Sequence, residues 1–146
     1  LFISAAMHNN NNDLNLINLT FRQSFEIIAV PFKQNKSPIR LIDNHLGIES
    51  WCLKYVYQHA HQLIIKNKKL NRYSTSIVKY LNCAILINPD VSTFWNIRRG
   101  LVERVQLSLT QEFQFSALVL SKKPKSSEAF FYRRWLYLFQ SKYDIH

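Results

Sequence analysis

From His45 onward the apolar residues recur with a helical period. Ile48, Trp51, Cys52, Tyr55, Val56 and His59 follow i, i+3, i+4, i+7, i+8 and i+11, which predicts one stripe on a helix reaching about Lys66. The basic run KNKKLNR then serves as a connector. A second helix carries Ile77, Val78, Leu81, Ala84 and Ile85 and stops at Asn88-Pro89, because proline disfavours helix for the residue before it. A third runs from about Thr93 to Leu107 with Trp95, Leu101, Val102 and Val105 inward. The fourth, about Gln111 to Ser121, carries Phe113, Ala117, Leu118 and Leu120 and ends before Pro124. A fifth begins near Ser127 with Phe130, Phe131, Trp135 and Leu138. Five short helices with tight connectors predict an all-α chain of stacked helical hairpins. The part before Ser37 reads differently. HNNNND (His8 to Asp13) is a polar tract expected to be disordered, Leu14 to Ser24 patterns weakly as a short helix, and FEIIAVPF (Phe25 to Phe32) reads as an extended segment entering the loop KQNKSP.

Within the helical part the sequence repeats itself. NPDVSTFWNIRR (Asn88 to Arg99) aligns without a gap on KPKSSEAFFYRR (Lys123 to Arg134). Pro89 and Pro124 are 35 residues apart (124 less 89). Each is followed at +3 by serine (Ser92, Ser127), at +6 by an aromatic (Trp95, Phe130), and at +9 and +10 by two arginines (Arg98 and Arg99, Arg133 and Arg134). The proline ends one helix, and the serine is expected to cap the next by accepting from its free N–H groups. One turn further, the aromatic is expected to fill the gap between hairpins. The arginine three residues beyond it lies on the same side, where its planar fork suits a carboxylate or the carbonyls at a helix end. Ion pairing between repeats is therefore the expected role of all four arginines. One hairpin cannot bury its own apolar face, so units of this kind stack in sets of three or more, and two clear copies imply others. The chain opens on Leu1 rather than Met, which points the same way, to an N-terminal fragment of a longer repeat domain. The organisation expected is an N-terminal extension over 1–36 and a repeat domain over 37–146, with repeats near 88–122 and 123–146.

Composition supports helices and narrows the chemistry. Only two of the 146 residues are glycine, too few for a β-sandwich or a Gly-rich phosphate loop. Apolar residues at 47% exclude a chain disordered throughout. Nineteen Lys and Arg against nine Asp and Glu leave a net charge of +10. About ten basic residues then face solvent or an outside anion, such as an acidic protein, a phosphate-bearing ligand, nucleic acid or a membrane surface. Nucleic acid is the weakest of these, since no recognised motif is present and the basic residues are not gathered along one helix. Cys52 and Cys83 are isolated, which fits a reducing cytosol rather than a disulfide framework. His59 and His61 fall on different helix faces and make no zinc pair. No apolar run is long enough for a membrane span, and LFISAAM lacks the basic flank of a secretion signal.

The unit P-x₅-(W/F)-x₂-R-R resembles the repeat of protein prenyltransferase α subunits. The order SPIRLIDNHLGIESWCLKYV followed by LNCAILINPDVSTFWNIRR resembles the start of the protein prenyltransferase alpha subunit repeat-containing protein 1 family. The likeness covers Ser37 to Leu138. It implies an α-α superhelix wrapped around a β subunit, which in this enzyme class holds the zinc and most of the lipid pocket. Such heterodimers transfer a farnesyl or geranylgeranyl group from its diphosphate to a protein cysteine, so an isoprenyl diphosphate and an acceptor protein belong to the complex. No cofactor is implied for this chain itself. The second repeat of the farnesyltransferase α subunit carries P-K-x-Y, whose lysine approaches the diphosphate. The matching residues here are Pro124, Lys125, Ser126 and Ser127, so Lys125 fits the lysine while Ser127 stands where the tyrosine would be. Asp90 occupies the lysine's place in the first repeat, leaving only the second able to supply this cation. The expected function is that of an α-type subunit. A non-enzymatic helical scaffold is the alternative.

Overall fold

The computed structural model describes residues 37, 39–42, 45–69, 76–104 and 106–143. A two-stranded antiparallel hairpin comes first, β1 (Ile39–Ile42) and β2 (His45–Ile48), pairing Ile39 with Ile48 and Ile42 with His45. A 3-10 turn at Ser50–Cys52 leads into α1 (Leu53–Lys69), followed by α2 (Ser76–Ile87), α3 (Ser92–Glu103), α4 (Leu109–Lys122) and α5 (Ser127–Tyr143). Five α-helices thus dominate the described residues, and the fold is an all-α stack of hairpins with a small β-hairpin at its entrance. The expectations for residues before Ser37 lie outside the described residues.

The helical reading from His45 is corrected. IRLI and HLGI are short runs rich in β-branched and leucine residues around an Asp-Asn pair, a composition that favours a hairpin over a first helical turn. Helix α1 therefore starts five residues after Ile48, and its phase differs from the expected stripe, of which Cys52 is buried and Val56 half-buried as expected. Ala60 and Ile64 are buried with Tyr57 packed beside them, while Trp51 and Tyr55 are 53% and 65% exposed and His59 is exposed as well.

The core is a single cluster running through the stack. Helix α2 contributes Ile77, Leu81, Ala84, Ile85 and Leu86, and α3 contributes Phe94, Trp95, Ile97, Leu101 and Val102. Helix α3 ends at Glu103, short of the expected Leu107, and the Gln106 N–H closes it on the Leu101 carbonyl at 3.0 Å. That five-residue bond satisfies a carbonyl the helix would otherwise leave unpaired. Val105 lies outside the described residues.

Helices α4 and α5 keep their expected ranges within two residues at each boundary tested by the pattern, but their inward faces are rotated. Helix α4 buries Glu112, Phe115, Ser116 and Val119, at i, i+3, i+4 and i+7, with Leu118 beside them. Ala117 is exposed, and Phe113 and Leu120 are only half-buried. Helix α5 buries Ala129, Tyr132 and Leu136, while Phe130, Phe131 and Leu138 face outward. Both helices carry apolar residues on two sides, so periodicity alone picks the wrong one.

Candidate functional site

The repeat motif is concentrated at two turns and at the helices that leave them. In the first turn, Pro89 is buried and its carbonyl accepts the Trp95 indole N–H at 2.7 Å. Trp95 is fully buried, with its ring centroid 4.7 Å from that of Tyr132 and 6.2 Å from that of Phe115. The following hairpin therefore supplies the cover, as the repeat spacing predicts. Phe130, the matching aromatic, is instead 53% exposed. Its assignment to the core is corrected, because no described element overlies α5 as α4 and α5 overlie α3.

The serine caps are corrected too. Ser92 and Ser127 are the first residues of α3 and α5, one position inside the cap. Val91 precedes α3 and makes no side-chain cap. Before α5 the role passes to Ser126, whose Oγ accepts weakly from the Ala129 N–H at 3.4 Å. Ser126 Oγ also donates to Asp90 Oδ1 at 2.9 Å, and the Lys123 ammonium pairs with the same carboxylate. Asp90 thus joins the Pro89 turn to the Pro124 turn. Hydrogen bonds first from Lys123 and then from Ser126 hold its carboxyl below the ordinary aspartate range. Lys122 adds a second link, donating to the Leu86 carbonyl near the end of α2, and burial lowers its pKa.

The first arginines of the two motifs differ in how fully they are engaged. Arg98 is 2% exposed. Its Nε donates to Glu112 Oε2 at 2.7 Å and its Nη2 to Glu112 Oε1 at 2.6 Å, a two-pronged carboxylate contact. Its Nη1 donates to Asn82 Oδ1, and its guanidinium lies 4.0 Å from the Phe115 ring centroid. Tyr132 donates its hydroxyl to Glu112 Oε2 at 2.6 Å. Burial first, and the nearby Glu112 charge second, raise the Tyr132 pKa, so it remains a phenol and a donor. One buried ion pair therefore ties α2, α3, α4 and α5 together.

Arg133 hydrogen-bonds through Nη1 alone, which donates to the Phe113 carbonyl at 2.8 Å and to Ser116 Oγ at 3.0 Å, and its guanidinium lies 5.5 Å from the Phe113 ring centroid and 5.9 Å from that of Tyr137. Of the second arginines, Arg99 is half-buried, bonds Asn96 Oδ1 at 3.0 Å and lies 5.7 Å from the Trp135 ring centroid. Arg134 is exposed on α5. Of the four, Arg98 alone forms an ion pair among the described residues; Arg133 holds carbonyl and hydroxyl oxygens instead.

Lys125 lies in the turn before α5, exposed beside exposed Pro124 and Ser127. Asn82, Glu112 and Tyr132 were not marked by the motif. Glu112 was legible only as an acid sharing a helical face with Phe115, Ser116 and Val119. Among the described residues no group of three or more His, Cys, Asp and Glu side chains can hold a metal. Burial raises the Cys83 thiol above its ordinary pKa, which makes it a poor nucleophile. No helix among the described residues is long and apolar enough to cross a membrane.

Stacked helices, turned by proline at two places and packed at the first of them through a buried ring and a buried arginine, define a helical-repeat protein. Residues 109–140, which are α4 and most of α5, match the protein prenyltransferase alpha subunit repeat. The chain is 38% identical over 105 residues to protein prenyltransferase alpha subunit repeat-containing protein 1-A of Xenopus laevis, covering 70% of this chain and 24% of that protein. It is 36% identical over 108 residues to the human protein prenyltransferase alpha subunit repeat-containing protein 1, covering 71% and 26%. A more distant relative is the geranylgeranyl transferase type-2 subunit alpha of Sus scrofa, 28% identical over 91 residues, covering 56% and 16%. The chain spans about a quarter of the length of the repeat-containing relatives it matches. The family resemblance read from the sequence holds: residues 109–140 form a prenyltransferase α-subunit repeat, and the chain is similar to the repeat-containing protein 1 sequences.

Proposed function

We propose that this chain belongs to an α-type subunit that scaffolds a prenyltransferase β subunit, with the zinc and most of the lipid pocket on that partner. The observation that carries the reading is the match of the α4–α5 hairpin to the α-subunit repeat, joined to the likeness to a transferase α subunit. Lys125 supports it, as an exposed ammonium at the N-terminal end of α5, where unpaired helix N–H groups add positive charge. In the assembled pair Lys125 faces the isoprenyl diphosphate and stabilises charge as it moves onto the leaving group. Ser127 makes no aromatic hydroxyl contact there. The setting is the cytoplasm, where the acceptor proteins' cysteines are reduced.

A second reading, a helical scaffold without transferase activity, is favoured by one observation. The relatives at 36–38% identity are named for the repeat and not for a transferase. The two readings separate in one experiment. Protein made from the full reading frame is used to capture prenyltransferase β subunits, and the recovered pair is assayed for isoprenyl transfer to a cysteine peptide. A one-to-one pair that transfers is expected. Capture without transfer favours the scaffold, and no capture ends the α-subunit reading.

A further inference from the structure

Between Glu49 and Asp90 the sequence contains no Asp or Glu, and the charged side chains of α1 and α2 are all lysines. Much of the net charge of +10 therefore sits on this first helical pair. Its lysines share a side with exposed rings. Tyr55, Gln62, Lys66 and Lys69 follow i, i+7, i+11 and i+14, which is one face of α1, and all are exposed. Trp51 stands one turn before Tyr55, and both rings are more than half exposed. The opposite face carries Ala60 and Ile64 into the core. One turn beyond Tyr55, the ring of exposed His59 lies 6.4 Å from that of Tyr80, and the Lys79 ammonium is 5.1 Å from the same Tyr80 ring, so α2 continues the surface. Among the described residues no carboxylate pairs with Lys66, Lys69 or Lys79.

We infer that this side of α1 docks on an anionic lipid surface, with Trp51 and Tyr55 at headgroup depth and Lys66 and Lys69 against the charged headgroups. The kinds of residue present favour lipid over other anions. Rings with an apolar body and one polar edge settle at the boundary between headgroups and acyl chains. Lysine is a hydrated point charge on a long apolar stem, which suits a diffuse layer of anions. A carboxylate on a folded partner is matched better by the planar fork of arginine. Here Arg98, Arg99 and Arg133 lie on α3 and α5 and bond groups within the stack. A convex helix side with lysines, rings and no acid has the charge pattern of a helix that rests on an interface. Each lysine near such a surface strengthens partitioning by about fivefold, so two lysines and two rings give reversible attachment. The inference is independent of the transferase reading and needs no β subunit.

The test uses protein made from the full reading frame, sedimented with vesicles of phosphatidylcholine alone or with about a third phosphatidylserine. Binding to the anionic vesicles at least about tenfold tighter than to the neutral ones is expected, and it should weaken with added salt. Lys66→Gln with Lys69→Gln should lower it by about tenfold or more, and Trp51→Ser with Tyr55→Ser should lower it too. Arg134→Gln with Lys142→Gln removes the same charge from exposed positions on α5 and should change binding by less than about twofold. No preference for anionic vesicles, or equal losses from the two charge pairs, overturns the docking. Trp51→Phe gives a measurement that does not rest on affinity. With vesicles in excess and bromine on the acyl chains, tryptophan emission should be quenched, and most of that quenching should be lost in Trp51→Phe. Quenching of the same size in both proteins overturns the placement of α1. Tighter binding to poly-glutamate or to a DNA duplex at the same salt, lost with Lys66→Gln and Lys69→Gln, gives the face to an acidic protein or to nucleic acid and overturns the lipid assignment.

Discussion

Arg98 and Glu112 show how a repeat motif and the partner it needs can be unequally visible in sequence. The arginine recurs 35 residues on and draws notice; the glutamate occurs once and does not. Buried charge of this kind is costly to desolvate and tolerable only when every prong is occupied, as Glu112, Asn82 and Phe115 occupy Arg98. Removing one partner therefore strands the other. Glu112→Ala is expected to lower unfolding stability by about 3–5 kcal/mol in urea titrations. Adding Arg98→Ala to it should cost much less than the two single losses summed, because the second deletion removes a charge already unpaired. Additive losses would mean that the two side chains do not depend on each other. Trp95 and Phe130 form a second contrast. Trp95→Ala should cost about 3–5 kcal/mol through the cavity it leaves, whereas Phe130→Ala in the 146-residue chain should stay within about 1 kcal/mol. Similar losses for both would mean that Phe130 is covered within this chain.

At the scale of the element, helix existence was legible and helix rotation was not. Proline at 89 and at 124 fixes where α2 and α4 stop, and the second of them places α5 within a residue of its expected start. Phase is a different matter. Helix α5 bears Phe130, Phe131 and Leu138 on one side and Tyr132, Trp135, Leu136 and Phe139 on the other, so both sides look like a core face. Only the partner helix decides between them, and that information is tertiary. The β1–β2 hairpin was missed because Ile48 also falls in step with the α1 stripe. The cap shifted from Ser127 to Ser126 because the outer serine reaches Asp90 of the neighbouring turn as well as its own helix. That Asp90 link has a pH signature. A carboxyl held below its ordinary range contributes stability above its unfolded-state pKa, near 4, and loses it as pH falls through the folded-state value. The melting-temperature gap between the unsubstituted protein and Asp90→Ala should be small, since the pair is exposed, and should close as pH is taken from neutral to below about 4. A gap that widens with acid would show that Asp90 is not the titrating contact.

For the whole molecule, stacking converts two local turns into one surface, since Asp90, Lys123 and Ser126 bring the Pro89 and Pro124 turns side by side. Lys125 stands at that surface, and Asp90 shows why the second turn alone can offer a free cation there: the first turn carries an acid at the matching position and spends it on the link. Unlike Lys123, Lys125 is not drawn into that link, and unlike Arg98 it is exposed, so its replacement should leave the fold unchanged. Its effect is expected only where a second protein excludes water. On the proposed reading, a full ammonium charge and the N-terminal end of α5 are expected to act together there on a diphosphate that gains charge as its bond to the isoprenyl carbon breaks. In a reconstituted pair with a β subunit, Lys125→Ala should slow transfer by about 10²-fold or more, the scale set by losing one preorganised donor. Assembly with the partner should be unaltered. Lys54→Ala, which removes the same charge from the exposed side of α1, serves as the control for long-range electrostatics. Equal slowing by both substitutions would reduce Lys125 to one of many surface cations, and unchanged transfer by Lys125→Ala would remove it from the site altogether.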